Sequence, residues 1–159
     1  MITLVPAGLD AAKLILPVFY DDGVMQTGSL PTKPDETNIN EWLDSDNRRE
    51  ETRLVILKET GELVGFGGLW NGAPTCNLGY FIHPDFAGRG IATMTAKLLL
   101  DEALSRPEIT KITAATFQTN PASRRVLEKV GFTCTGSFTE NLEARGGMRD
   151  HWSFEYFSK

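Results

Sequence analysis

Cysteine is scarce in this sequence: Cys76 and Cys134 are two among 159 residues, far apart and in no C-x-x-C or metal-ligand spacing. That excludes a disulfide framework or a zinc ribbon, and both read as small buried strand residues in a reducing compartment. Basic charge is also short, with 16 Lys and Arg against 21 Asp and Glu and a formal net charge of −5. Nucleic-acid binders usually show a basic face, so no nucleic-acid partner is expected. The acidic balance suits a cationic substrate, although mild acidity is first of all a solubility feature. Long apolar runs are missing too. Nothing approaches the ~20 residues that cross a bilayer, and the N-terminus lacks a basic stretch followed by an apolar one. A cytoplasmic protein with no membrane partner is the expectation. Repeats, low-complexity tracts and long linkers are absent, so residues 1–159 read as a single domain. The 41% hydrophobic and 23% charged residues support a packed core rather than disorder.

Ile2 to Val5 reads as a short opening strand, and the apolar cluster from Leu9 to Leu16 as a helix stopped by Pro17. Tyr20 to Glu36 turns to Asp, Gly, Thr, Pro and Lys, the composition of a loop. Its apolar Val24, Met25 and Leu30 suggest that it folds over something. A short helix at Thr37–Leu43 follows, anchored by Trp42 and Leu43. Arg53–Lys58, Leu63–Trp70 and Cys76–Ile82 are apolar runs separated by Gly61 and by Asn71-Gly-Ala-Pro74, which makes an antiparallel meander. From Gly90 to Ser105 the pattern is helical, with Ile91, Met94 and Leu98 on one face and Leu99, Ala103 and Leu104 widening it. A strand over Ile109–Phe117, a helix opened by Asn120-Pro121 and two strands over Phe132–Leu142 and Met148–Phe157 complete the chain. The order predicts an α+β fold, a mostly antiparallel mixed sheet with helices on both faces.

The junction at the centre is His83-Pro-Asp-Phe-Ala-Gly-Arg-Gly-Ile91. Gly88 and Gly90 allow a tight turn and close approach of a ligand. The helix start beyond them leaves N–H groups unpaired at the positive end of its dipole. A strand, glycine loop and helix start in this order hold a phosphate. A dinucleotide site wants G-x-G-x-x-G in a parallel βαβ unit, but Thr93 stands in the third place and a meander leads in. A Walker A loop needs a Gly-Lys-Ser/Thr ending that is absent. The pyrophosphate of another cofactor remains, beside a plain connecting turn.

Ala87-Gly-Arg-Gly-Ile-Ala92 resembles the acyl-CoA pyrophosphate loop of GNAT N-acetyltransferases. Leu78-Gly-Tyr-Phe-Ile-His-Pro84 and Asn120-Pro-Ala-Ser-Arg-Arg-Val-Leu-Glu-Lys-Val-Gly-Phe132 fit the same family in order and spacing. The pattern from Leu63 onward is most similar to the branch containing the ribosomal-protein alanine N-acetyltransferases, and Arg149–Tyr156 is in keeping with it. The resemblance implies acetyl-CoA as co-substrate and an amine acceptor. Backbone from Gly88 through Arg89, Gly90, Ile91 and Ala92 to Thr93 would hold the pyrophosphate, and Ile82 would pair with the pantetheine amides. Asn120 would contact the cofactor near the pantetheine, and it also reads as a helix N-cap. Ala87 departs from the usual Gln or Arg, which removes a side-chain contact but leaves the backbone cradle.

Acyl transfer to an amine needs a neutral amine, a polarised carbonyl and a proton for the leaving thiolate. By family position Ser123 would lie near the sulfur. The Tyr that many relatives carry seven residues after the Asn is Leu127 here, so Ser123 or a water takes the acid role. Asn77 stands where relatives place a Glu, which rules out a carboxylate base there. Asp150 is the candidate base, acting through water. His151, its neighbour, should point to the opposite face and reads as structural. His83 reads as a turn residue, while Glu140 and Glu143 border the last hairpin, where they can attract an ammonium. The acceptor side should form from Tyr20–Glu36, the Trp42 helix and the Glu140–Arg149 hairpin. Neither cysteine occupies a position suited to a covalent intermediate, which favours direct transfer to a primary amine. The rival from another class is an acyl-CoA-binding or regulatory module without turnover. The sequence leaves the acceptor open, and homodimerisation with it.

Overall fold

In the computed structural model, which describes residues 1–20, 23–24 and 28–157, seven strands form one sheet. β1 is Ile2–Pro6, β2 Thr52–Leu57, β3 Leu63–Trp70, β4 Thr75–Ile82, β5 Lys111–Phe117, β6 Thr133–Leu142 and β7 Gly147–Tyr156. Their spatial order is β1-β2-β3-β4-β5-β7-β6. All neighbours are antiparallel except β4 and β5. That parallel pair needs a crossover, which the intervening helix supplies.

Helices cover both faces. On one, α1 (Ala11–Ile15) and α2 (Glu36–Asp44) lay Ala11, Ile15, Ile39 and Leu43 against Leu54, Phe66 and Phe81. α2 starts on a reciprocal cap: Asn38 N–H donates to Asp35 Oδ1 at 2.7 Å and Asp35 N–H to Asn38 Oδ1 at 2.8 Å. A short α3 (Arg48–Glu51) leads into β2. On the other face, α4 (Ile91–Leu104) and α5 (Pro121–Lys129) bury Leu99, Leu100 and Leu127 against Leu69, Leu78, Ile112 and Phe154. The mixed sheet with two helical layers is the expected fold class.

Some expectations shift. The buried stripe of α4 runs through Ile91, Thr95, Leu99 and Ala103, with Ala96 and Leu100 beside it, while Leu98 and Leu104 are exposed. A helix so rich in Leu offers several apolar registers, and packing against the sheet selects among them. Cys76 is fully buried as expected, but Cys134 is only half-buried because its strand lies at the sheet edge. In the Tyr20–Glu36 connector Val24 and Leu30 are buried, whereas Met25 lies outside the described residues. Among the described residues no helix is long and apolar enough to cross a membrane.

Candidate active site

β4 and β5 pair over only three rungs, Thr75↔Lys111, Cys76↔Ile112 and Asn77↔Thr113. Beyond Asn77 the two strands part. Leu78–Ile82 on one side and Ala115–Phe117 on the other then flank a cavity of about 820 Å³. The unpaired edge of β4 keeps free backbone groups along this gap, which is what an extended amide-bearing ligand needs.

At one end, Gly88, Gly90, Ile91, Ala92 and Thr93 line the cavity. Gly88 and Gly90 have φ of +78° and +76°, and a Cβ on either would meet no atom within 4 Å. The turn thus requires the left-handed region, and the space above it is open. Helix α4 begins immediately after Gly90 with no side-chain cap, so its first N–H groups face the cradle unpaired. The site fits a pyrophosphate. Arg89 is outside the cavity wall; its guanidinium sits 5.3 Å over the Phe86 ring. Ile82, Asn120 and Ser123 all lie on the wall. Asn120 caps α5, its Oδ1 accepting from Ser123 N–H at 3.3 Å.

Deeper in, Tyr80 reaches across the gap from β4 to the first turn of α5. Its hydroxyl lies 2.9 Å from Ser123 Oγ. Burial pushes the phenol up to about 12, opposed by the bond to Ser123, so the ring stays protonated through the neutral range. Leu127 is buried and apolar on the same helix. A tyrosine hydroxyl therefore stands near Ser123 after all, delivered from a strand. Tyr80 shares one face of β4 with the core residues Cys76 and Leu78, so strand periodicity alone does not set it apart from the core.

Two buried polar atoms on the wall, Trp42 Nε1 and Thr116 Oγ1, have no hydrogen-bond partner among the described residues. Orphaned polar atoms are costly unless a ligand or water meets them. Asn77 also lines the cavity, its Oδ1 3.4 Å from Thr113 Oγ1. His83 behaves as a turn residue, its Nδ1 accepting from Asp85 N–H at 3.1 Å.

The far side is built from the connector, α2 and the last hairpin, as their polar loops suggested. Tyr20, Ser29, Leu30, Trp42, Phe138 and Glu140 all contribute to the wall. Arg145, in the turn between β6 and β7, is buried and donates to the carbonyls of Val24 and Leu30, fastening the connector to the hairpin. Burial lowers its pKa first, and nearby Arg149 adds to that. Glu140 is the one carboxylate on the described part of the wall, and Glu143 is exposed away from it.

Asp150 is not brought to the cavity. It is exposed and its Oδ1 accepts from Thr139 Oγ1 at 2.7 Å, on the outer face of the hairpin. This corrects the sequence-based choice of base, and the reason is strand alternation: of the adjacent pair, only His151 can face inward.

The described geometry has counterparts. Residues 2–133 match the profile of the acetyltransferase (GNAT) domain. The chain belongs to the GNAT acetyltransferase family. It is 35% identical over 118 residues to the N-acetyltransferase YjcK of Bacillus subtilis (strain 168), an alignment covering 71% of this chain and 65% of that protein. To YdaF of the same organism, whose name describes a ribosomal N-acetyltransferase, it is 30% identical over 122 residues, covering 72% and 64%. The GNAT chain thus spans just under two thirds of these relatives. A GNAT acetyltransferase structure from Bacillus anthracis superposes with a TM-score of 0.78 at 19% identity, covering 98% of this chain and 94% of that one. Spermidine N-acetyltransferase from Vibrio cholerae, solved with CoA and spermine, gives 0.80 at 18% identity, covering 97% and 94%. At such identities these two structures speak for the GNAT fold.

Proposed function

We propose that the chain transfers an acetyl group from acetyl-CoA directly to a primary amine. The observation that carries this reading is one cavity joining three parts: the Gly88–Gly90 cradle at the α4 start, the gap between β4 and β5, and the Tyr80–Ser123 hydroxyl pair. Bound there, acetyl-CoA supplies an activated thioester carbonyl. Amides from Gly88 to Thr93 hold its pyrophosphate, and the free edge of β4 near Ile82 aligns the pantetheine arm. Asn120 fixes the first turn of α5, which sets the position of Ser123. Ser123 then hands a proton to the departing sulfur and recovers one from Tyr80, whose phenol remains a donor at neutral pH. The acceptor enters from the side of Trp42, Phe138 and Glu140, where Glu140 attracts an ammonium.

YdaF is named for ribosomal N-acetylation and the Vibrio cholerae enzyme for spermidine; a protein N-terminus, a polyamine or a small amine all fit the same chemistry. The two free thiols support a cytoplasmic location, and the one continuous sheet supports a single domain. The test is release of free CoA from acetyl-CoA with spermidine, N-terminal peptides and small amines. Turnover on at least one class is expected. The apolar Leu127 favours one rival, a module that binds acyl-CoA without using it. Tight acetyl-CoA binding with no CoA release on any amine would establish that rival.

A further inference from the structure

His151 is one of two histidines in the chain and is 6% exposed. It sits on β7 opposite Phe117 of β5, at the level where β5 has left β4. Its ring is held from two sides. Phe138 of β6 stacks on it at 4.4 Å and 5°, and Phe117 meets it edge-on at 4.6 Å and 79°. Nδ1 lies 3.1 Å from the Arg149 carbonyl oxygen. A carbonyl can only accept, so Nδ1 carries the hydrogen and Nε2 keeps its lone pair. Among the described residues Nε2 has no partner and is not an enclosed orphan atom, while the residue lines the cavity. A clamped ring with a fixed tautomer and an open lone pair has more order than a filler of the core requires.

The geometry points to His151 as the base that takes the proton from the acceptor amine, an inference that rests on the acetyl-transfer reading above. Its Nε2 removes one proton from the ammonium and so frees the nitrogen lone pair. The nitrogen bonds to the thioester carbonyl carbon as the carbon–sulfur bond breaks, its electron pair staying on sulfur. Sulfur takes a proton from Ser123, and the second proton shed by nitrogen refills the Ser123–Tyr80 pair. One proton is left on His151, which releases it to solvent. The charged groups around the ring suit this cycle. Glu140 of β6 is also on the cavity wall, cross-strand from Arg149. The Arg149 guanidinium lies 4.3 Å over the far partner, Phe117, and donates to Thr119. Asp150 faces outward and is engaged by Thr139. On β5 the neighbour is the uncharged Phe117, and Gln118 donates to the His151 backbone carbonyl at 3.4 Å.

The test uses the full chain with acetyl-CoA and, in parallel, spermidine and a peptide with a free N-terminus. His151→Phe keeps the stack and removes both nitrogens. It should lower kcat/KM by about a hundredfold or more and abolish the acidic limb of the pH profile. Its acetyl-CoA affinity should stay within about twofold, since the cradle is built from other elements than the ring. Wild-type rates and an unchanged limb in His151→Phe would overturn the assignment while leaving acetyl transfer standing. No CoA release by the wild type from either amine would overturn acetyl transfer and the base together. Should the variant fail to fold, nitrogen NMR of the wild-type ring decides: an unprotonated Nε2 at pH 8 supports the base, and a protonated Nε2 with a bare Nδ1 overturns it.

Discussion

The proposed proton transfer rests on a few side chains with different neighbours. Tyr80 reaches Ser123 Oγ at 2.9 Å from another element, so each hydroxyl can be removed without dismantling the other's backbone. Tyr80→Phe should lower kcat by roughly tenfold or more while the KM for acetyl-CoA stays within about twofold. Ser123→Ala should do the same with a larger drop, because in the proposed mechanism Ser123 gives its proton to the sulfur directly; steady-state kinetics on both variants checks this. An unchanged kcat in Ser123→Ala would remove it from the chemistry. At this scale the sequence was least legible. Asp150 and Tyr80 show why: strand alternation predicts that neighbours face apart, but not which of them faces the cavity. That depends on the register β7 takes against β5 and β6, set by pairings such as Phe117↔His151 and Phe138↔His151. Tyr80 gives no sequence signal of a site role, since its ring packs on the core and only its hydroxyl reaches Ser123.

Elements were easier to read because their signals are local. The cap at Asn120 with Pro121, the loop at Gly88–Gly90 and the turns around Gly61 and Asn71 each mark a boundary that the structure keeps within a few residues. The α4 stripe was less legible, since a Leu-rich helix leaves its buried side to tertiary packing, and Leu98 and Leu104 ended outside. The cradle lends itself to a single substitution. Gly90→Val puts a β-branched residue at φ +76° and a side chain into the open cradle. The strain alone costs on the order of 1–2 kcal/mol, and the lost approach adds to it. Acetyl-CoA affinity should fall by at least about tenfold by calorimetry, with the far-UV spectrum retained. Retained affinity would exclude this loop as the pyrophosphate holder.

Across the whole molecule, burial couples the site to stability. It pushes the Tyr80 phenol from 10 up to about 12 and the Cys76 thiol from 9 up to about 11. The folded chain keeps both protons where the unfolded chain gives them up. Their contribution is therefore fully present below pH 9 and is lost as pH rises through 9 to 12. The total is of order 2–3 kcal/mol for each group. Urea unfolding at pH 8 and pH 10.5 should show this alkaline loss, and Tyr80→Phe should lessen it. An identical pH slope in the variant would mean that the phenol is not desolvated.

Three rungs are all that stitch β4 to β5, so the sheet is nearly two half-sheets meeting at a short seam. Backbone amides along the seam beyond Asn77 on the β4 side have no strand across from them to slow their exchange with solvent. If the pantetheine arm completes the missing rungs, the donor becomes a structural member as well as a reactant. Amide exchange along Gly79–Ile82 should then slow when acetyl-CoA is added, and the melting temperature should rise with its concentration. A seam whose exchange ignores the donor would place the arm elsewhere. On that account an acceptor arriving before the donor would meet a wall that is still open, which predicts donor-first binding.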